Sequence, residues 1–162
     1  MSNHEESVIL PLDPRPLVLV VDDELTPRSK ISRLVGSLGF QVRSCPNGAA
    51  ALRFLREHPG AVRMVLADLA MPRMDGGEVA ERVKDLYPGL PVALMAASGD
   101  PQAGDLLEGY PDLPYLQKPV ALGPLAELLL DVLGAPTPPT TDPRSMGRAL
   151  ARRRASGRHR VE

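Results

Sequence analysis

The sequence predicts an α/β fold: a five-stranded parallel sheet, doubly wound, with helices on both faces. Three observations carry this. Short aliphatic runs without polar alternation recur from Leu17 onward, as strands buried on both faces require. Between them lie stretches with apolar residues at 3.6-residue spacing. Turn residues such as Gly39, Pro59-Gly60, Pro88-Gly89 and Gly134 mark the junctions. Strands that alternate with helices must run parallel, and their crossovers are right-handed.

Each element has its own justification. The first strand, Leu17 to Val21, leads to a helix from about Thr26-Pro27, where Thr suits the N-cap and Pro the first helical position. Ile31, Leu34, Val35 and Leu38 form its apolar face, and Gly39 ends it. Gln41 to Ser44 is the second strand. Asn47 caps a helix carrying Leu52, Phe54 and Leu55, which Pro59-Gly60 stops. Residues 63–67 are the third strand. The next helix spans about Gly76 to Leu86, with Val79 and Val83 inward. Pro91 to Ala96 is the fourth strand. Asp100-Pro101 caps a weaker helix that Gly104 and Gly109 keep short. Pro114 to Gln117 is the fifth strand. The last helix, about Leu122 to Leu133, turns Leu125, Leu128, Leu129 and Val132 inward.

Around this domain, residues 17–133, the composition changes. Residues 1–16 read as a flexible lead, 134–143 as an extended Pro/Thr linker, and 144–162 as a basic tail. Within the tail, Asp142-Pro143 could start a short helix reaching about Ala155. The formal net charge of −1 hides an asymmetry, since seven arginines fall in residues 144–162 and leave the rest acidic. Such a tail is most simply a solvated one. It could also dock on the acidic domain, or touch an acidic partner, nucleic acid or membrane phosphates. Residues 134–162 are too few for a DNA-binding domain with its own core, so nucleic-acid contact beyond the tail is not expected. The apolar runs are far shorter than a membrane span, and no signal peptide is evident. The single cysteine, Cys45, excludes an internal disulfide and suits a reducing cytoplasm. Aromatic residues make up only 3% of the chain, so the core must be aliphatic.

The chemistry gathers at strand ends. Val18-Leu19-Val20-Val21 ends in Asp22-Asp23, and Met64-Val65-Leu66-Ala67 ends in Asp68. Lys118-Pro119 follows the stretch Leu113 to Gln117. In open α/β sheets the site lies beyond the carboxyl ends of the strands, where strand order reverses. Three carboxylates brought together there repel one another unless a cation intervenes, and a hard divalent ion such as Mg²⁺ is the usual one. Carboxylates, a cation and one lysine suggest phosphoryl transfer. The plainer alternative for each acid alone is a helix N-cap.

These segments, LVLVVDDE, MVLADLAMPRMDGGEV and YLQKP, taken in order and spacing, resemble the receiver domain of two-component response regulators over about Pro16 to Leu133. The resemblance implies a flavodoxin-like sheet of order 2-1-3-4-5. It implies that Asp68 is the phosphoacceptor, that Asp23, Asp68 and the backbone carbonyl of Ala70 hold Mg²⁺, and that Asp22 orients a metal-bound water or assists binding. It further implies that Lys118 and the backbone N–H of Ala97 contact the phosphoryl group and that Pro119 follows a cis peptide bond. A histidine kinase or phosphotransfer protein would supply the phosphoryl group to this non-enzymatic, stand-alone, cytoplasmic regulator. The downstream protein target stays unnamed. Contacts, including those of a homodimer, would use the fourth helix, fifth strand and fifth helix. YLQKP also resembles receivers attached to hybrid kinases. An aspartyl-nucleophile phosphatase would need an acid where Ala70 stands.

One position departs from the family. Receivers carry Thr or Ser at the end of the fourth strand, and here that residue is Ala96. In the family that Thr or Ser hydroxyl bonds a phosphoryl oxygen and draws the aromatic switch residue, here Tyr115, inward. Ser98, two residues on, could supply a hydroxyl if the loop rearranged. Two readings therefore stand: a phosphorylated signalling receiver, and a degenerate receiver that acts as a constitutive interaction module.

Overall fold

The computed structural model describes residues 15–136; the lead before them and most of the linker and tail lie outside the described residues. The elements follow in order β1 (Leu17–Val21), α1 (Leu25–Ser37), β2 (Gln41–Cys45), α2 (Gly48–Glu57), β3 (Val62–Asp68), α3 (Gly76–Leu86), β4 (Val92–Ala97), α4 (Pro101–Glu108), β5 (Tyr115–Lys118) and α5 (Leu122–Leu133). All neighbouring strand pairs are parallel, and the sheet order is β2-β1-β3-β4-β5.

Alternation along each strand assigns its side chains to two faces. Val18 and Val20 of β1 join Ile31 and Val35 of α1 and Leu125 and Leu129 of α5 in one buried cluster. Leu19 and Val21 join Ala51 and Leu55 of α2 and Val79, Ala80 and Val83 of α3 in a second. A smaller third cluster packs Ala103 of α4 on Leu69, Leu94 and Ala96. The core is aliphatic, as the scarcity of aromatic residues requires; Phe40 is the one fully buried ring in these clusters.

Short polar side chains cap three helices, at Asn47 and Asp100 as expected and at Asp75 in addition. Asn47 accepts a hydrogen bond from the Ala50 N–H, Asp100 accepts one from the Gln102 N–H, and Asp75 with Glu78 forms a reciprocal capping box at α3. Two expectations fail. Thr26 is not the cap of α1, which starts at Leu25 with Glu24 in the cap position and no side-chain cap bond. Val132 points outward at 37% exposure, and Leu133 packs on the core instead. Leu128 packs as expected, and Gly134 ends α5 at φ +73°.

Among the described residues, no helix is long and apolar enough to cross a membrane.

Candidate functional site

The carboxyl ends of β1, β3 and β5 converge. Carboxylate oxygens of Asp22, Asp23 and Asp68 all lie within 4.8 Å of one another. Asp22 is fully buried and Asp68 is 4% exposed, whereas Asp23 is exposed. The Lys118 ammonium reaches across from β5, 2.7 Å from Asp22 Oδ2 and 3.3 Å from Asp68 Oδ1. All four charged residues drawn from the sequence thus form one constellation.

The chain around Asp22 explains how a buried acid is tolerated there. The Glu24 N–H donates to Asp22 Oδ1 at 3.0 Å, and Lys118 donates to Oδ2. The Arg28 guanidinium donates to the Asp22 backbone carbonyl at 2.8 Å. Among the described residues no buried polar side-chain atom is left unsatisfied. Asp68 is under more stress. Burial is the main reason its pKa rises to about 6; Asp22 adds to the rise, while Lys118 and a backbone hydrogen bond from Ala70 oppose it. For Lys118, burial disfavours the charged form, but the hydrogen bond to Asp22 and the charges of Asp68 and Asp22 outweigh it and raise its pKa. Such an all-oxygen carboxylate set fits a hard divalent cation, which takes oxygen ligands and would relieve that repulsion.

The turn after Asp68 is sterically set. A Cβ on Gly76 would sit 2.5 Å from the Asp68 carbonyl oxygen and 3.0 Å from the Leu69 Cα, so only glycine lets α3 begin this close to the end of β3. A Cβ on Gly77 would strike the Tyr110 ring, which lies over the start of α3. Neither approach was anticipated from the sequence, although a Gly-Gly pair directly after Asp75 is its trace.

The remaining named positions fall around this centre. Leu69 N–H bonds the Met95 carbonyl, and Asp68 pairs with Met95 in register. The next residue, Ala96, is buried and pairs with Gln117; Ala97 is exposed and pairs with Lys118. Tyr115 pairs with Leu94 and stands 58% exposed. The Lys118–Pro119 bond is cis. The Ser98 hydroxyl is engaged by Gln117, whose amide donates to it at 2.7 Å. A cavity of about 500 Å³ beside the constellation is lined by Thr26, Lys30, Ala97, Ser98, Lys118 and Pro119, among others.

The family described as response regulator receiver domain matches residues 18–130, most of the chain. The chain belongs to that family. This receiver domain is 37% identical over 112 residues to the two-component response regulator ORR3 of Oryza sativa subsp. japonica, which covers 67% of this chain and 83% of that one. The sensor histidine kinase RcsC of Salmonella typhi is 35% identical over 114 residues, 70% of this chain but 12% of the kinase. The two-component system protein A of Emericella nidulans is 33% identical over 93 residues, 57% of this chain and 13% of that protein. The receiver therefore spans a small fraction of those two relatives. A response regulator receiver domain protein from Clostridium thermocellum superposes with a TM-score of 0.65 at 25% identity, over 73% of this chain and 94% of that one. The Vibrio cholerae chemotaxis protein CheY4 shares the fold with a TM-score of 0.63 at 24% identity, over 74% and 99%. Receiver domains are signalling domains of two-component systems.

Proposed function

We propose that this receiver accepts a phosphoryl group on Asp68 from a phosphohistidine of a histidine kinase or phosphotransfer protein, and signals through protein contacts. The observation that carries the reading is the convergence of three carboxylates and Lys118 at the carboxyl ends of three strands. An Asp68 carboxylate oxygen forms the bond to phosphorus as the bond from phosphorus to the donor's imidazole nitrogen breaks, and the imidazole leaves. A carboxylate is a competent nucleophile for this, and the protein's task is position and charge neutralisation. Asp22, Asp23, Asp68 and the Ala70 carbonyl would hold Mg²⁺, which supplies charge stabilisation to the transferring group. Lys118 already reaches Asp22 and Asp68 and would pair with the phosphoryl oxygens, and the Ala97 N–H at the end of β4 offers a further donor. The receiver, residues 17–133, acts in the cytoplasm as a regulator of two-component signalling.

Incubation with a radiolabelled small-molecule phosphodonor tests this. Label is expected on the wild type with Mg²⁺, and is expected to vanish with a chelator or in Asp68→Asn. Label that persists in Asp68→Asn would overturn the assignment of the acceptor.

A second reading rests on Ala96. Its buried methyl offers no donor to a phosphoryl oxygen, and the lost bond to a charged group is worth roughly 1.5–3 kcal/mol, the scale of many two-state conformational gaps. On that reading the domain is a constitutive interaction module with weak switching, and α4, β5 and α5 present its contact face, including to a second copy. Ala96→Thr is expected to enlarge the amide-shift response of residues 96–115 to phosphorylation. An unchanged response would remove Ala96 as the cause of weak coupling.

A further inference from the structure

A phosphoryl group on Asp68 presents three oxygens, and each gains from a donor aimed at the charge it carries. On the β5 side the described donors are few. Lys118 is one. Ala96, the β4 residue next to the partner of Asp68, contributes only a buried methyl. The nearest side-chain hydroxyl on β4's path belongs to Ser98. Ser98 follows directly on the end of β4, in the turn before α4, and is exposed. Ser98 and Lys118 line the same two cavities, of about 500 and 440 Å³.

In this structure the Ser98 hydroxyl is held elsewhere. Gln117 lies beside Ala96 in the β4–β5 register, and its amide crosses to Ser98 Oγ at 2.7 Å. That bond ties the loop before α4 to the edge strand, directly beside Lys118. The loop backbone can change. Gly99 sits at φ +75° with nothing within 4 Å of where a Cβ would be, and Ser98 is exposed. The side-chain bond that holds the Ser98 hydroxyl outward is neutral and exposed.

The geometry points to Ser98 as the hydroxyl donor to a phosphoryl group on Asp68, with Gln117 as a positioning residue that latches it outward in the resting state. This rests on Asp68 being the acceptor. The device differs in place from a hydroxyl on the strand itself. It moves the donor from a buried position to a loop, and it makes release of Gln117 part of the response. The phosphoryl charge draws the Ser98 O–H inward, and the Gln117 amide returns to solvent.

Beryllofluoride with Mg²⁺, a non-covalent stand-in for the phosphoryl group, provides the test. Its affinity is read by amide spectra of the full chain. Ser98→Ala is expected to weaken binding about tenfold, the low end for a hydrogen bond to a charged group. Gln117→Ala is expected to tighten binding about threefold, since the bond it removes is neutral and exposed. In the Ser98→Ala background, Gln117→Ala is expected to change nothing, which a merely structural role for Gln117 would not predict. Wild-type affinity in Ser98→Ala, or an equal Gln117→Ala effect in both backgrounds, overturns the latch while leaving the acceptor reading intact. Beryllofluoride binding that Asp68→Asn does not abolish defeats the acceptor reading, and the latch with it.

Discussion

Asp68→Asn is expected to stabilise the protein by about 2 kcal/mol at pH 7 without divalent cations. The reason is the raised pKa of Asp68, near 6 against an ordinary 3.8, caused first by burial. One unit of pKa difference between folded and unfolded states corresponds to about 1.4 kcal/mol, so the full shift bounds the effect near 3 kcal/mol. Asn keeps an acceptor for Lys118 at some loss of charge attraction, which lowers the figure. The sign follows from proton linkage. A folded-state pKa above the unfolded one means that the folded chain holds the proton more tightly. The benefit of that proton is complete below about pH 4 and is lost as pH rises through 6. The gap between variant and wild type should therefore close below pH 4 and be full above pH 7. Urea unfolding at pH 4 and pH 7 measures it. Equal midpoints at pH 7 would mean that burial does not strain Asp68.

Lys118→Met is expected to have the opposite sign and a larger size, a loss of about 3 kcal/mol. Asp22 is fully buried and relies on Lys118 at one of its two carboxylate oxygens, while the Glu24 N–H serves the other. Removing one partner of a buried ion pair leaves an uncompensated charge, typically at 3–5 kcal/mol. The Lys118 side chain is 17% exposed, so some solvent relief places the estimate at the low end. The two variants should not be additive. In Asp68→Asn, one of the two charges that Lys118 faces is already gone, and Lys118→Met should cost at least about 1 kcal/mol less there. Saturating Mg²⁺ should return part of the loss to Lys118→Met and less to a variant that also lacks Asp68. Strict additivity in the unfolding midpoints would argue that Lys118 serves Asp22 alone.

What could be read in advance had a physical pattern. Strand identity and the positions of Asp22, Asp23, Asp68 and Lys118 were legible, because doubly buried strands allow little but aliphatic residues and their ends fall where polarity returns. The caps at Asn47 and Asp100 were local, and α2 and α4 start where those short polar side chains stand; the capping box of Asp75 and Glu78 at α3 was not read in advance. The start of α1 was not local. Asp22 takes the Glu24 N–H and Arg28 takes the Asp22 carbonyl, so the site itself organises the turn and the helix begins before Thr26. Val132 was assigned inward on periodicity alone, but in the last turn of α5 it is Leu133 that packs on the core. The Ser98–Gln117 bond depends on Ala96 pairing with Gln117, a register between strands that local sequence does not encode. Gly76 was noticed as a helix start; its real constraint, a carbonyl oxygen where a methyl would stand, belongs to the tertiary fold.

The Lys118 bridge has a consequence for ion choice. With Asp68 ionised, three carboxylates face a single ammonium, and the pocket is short of electroneutrality by the charge of one divalent ion. A monovalent cation would leave it anionic, and a trivalent one would overshoot. A doubly charged ion would balance the pocket because of the lysine as much as the acids, and neutralising Lys118 would move that balance toward higher valence.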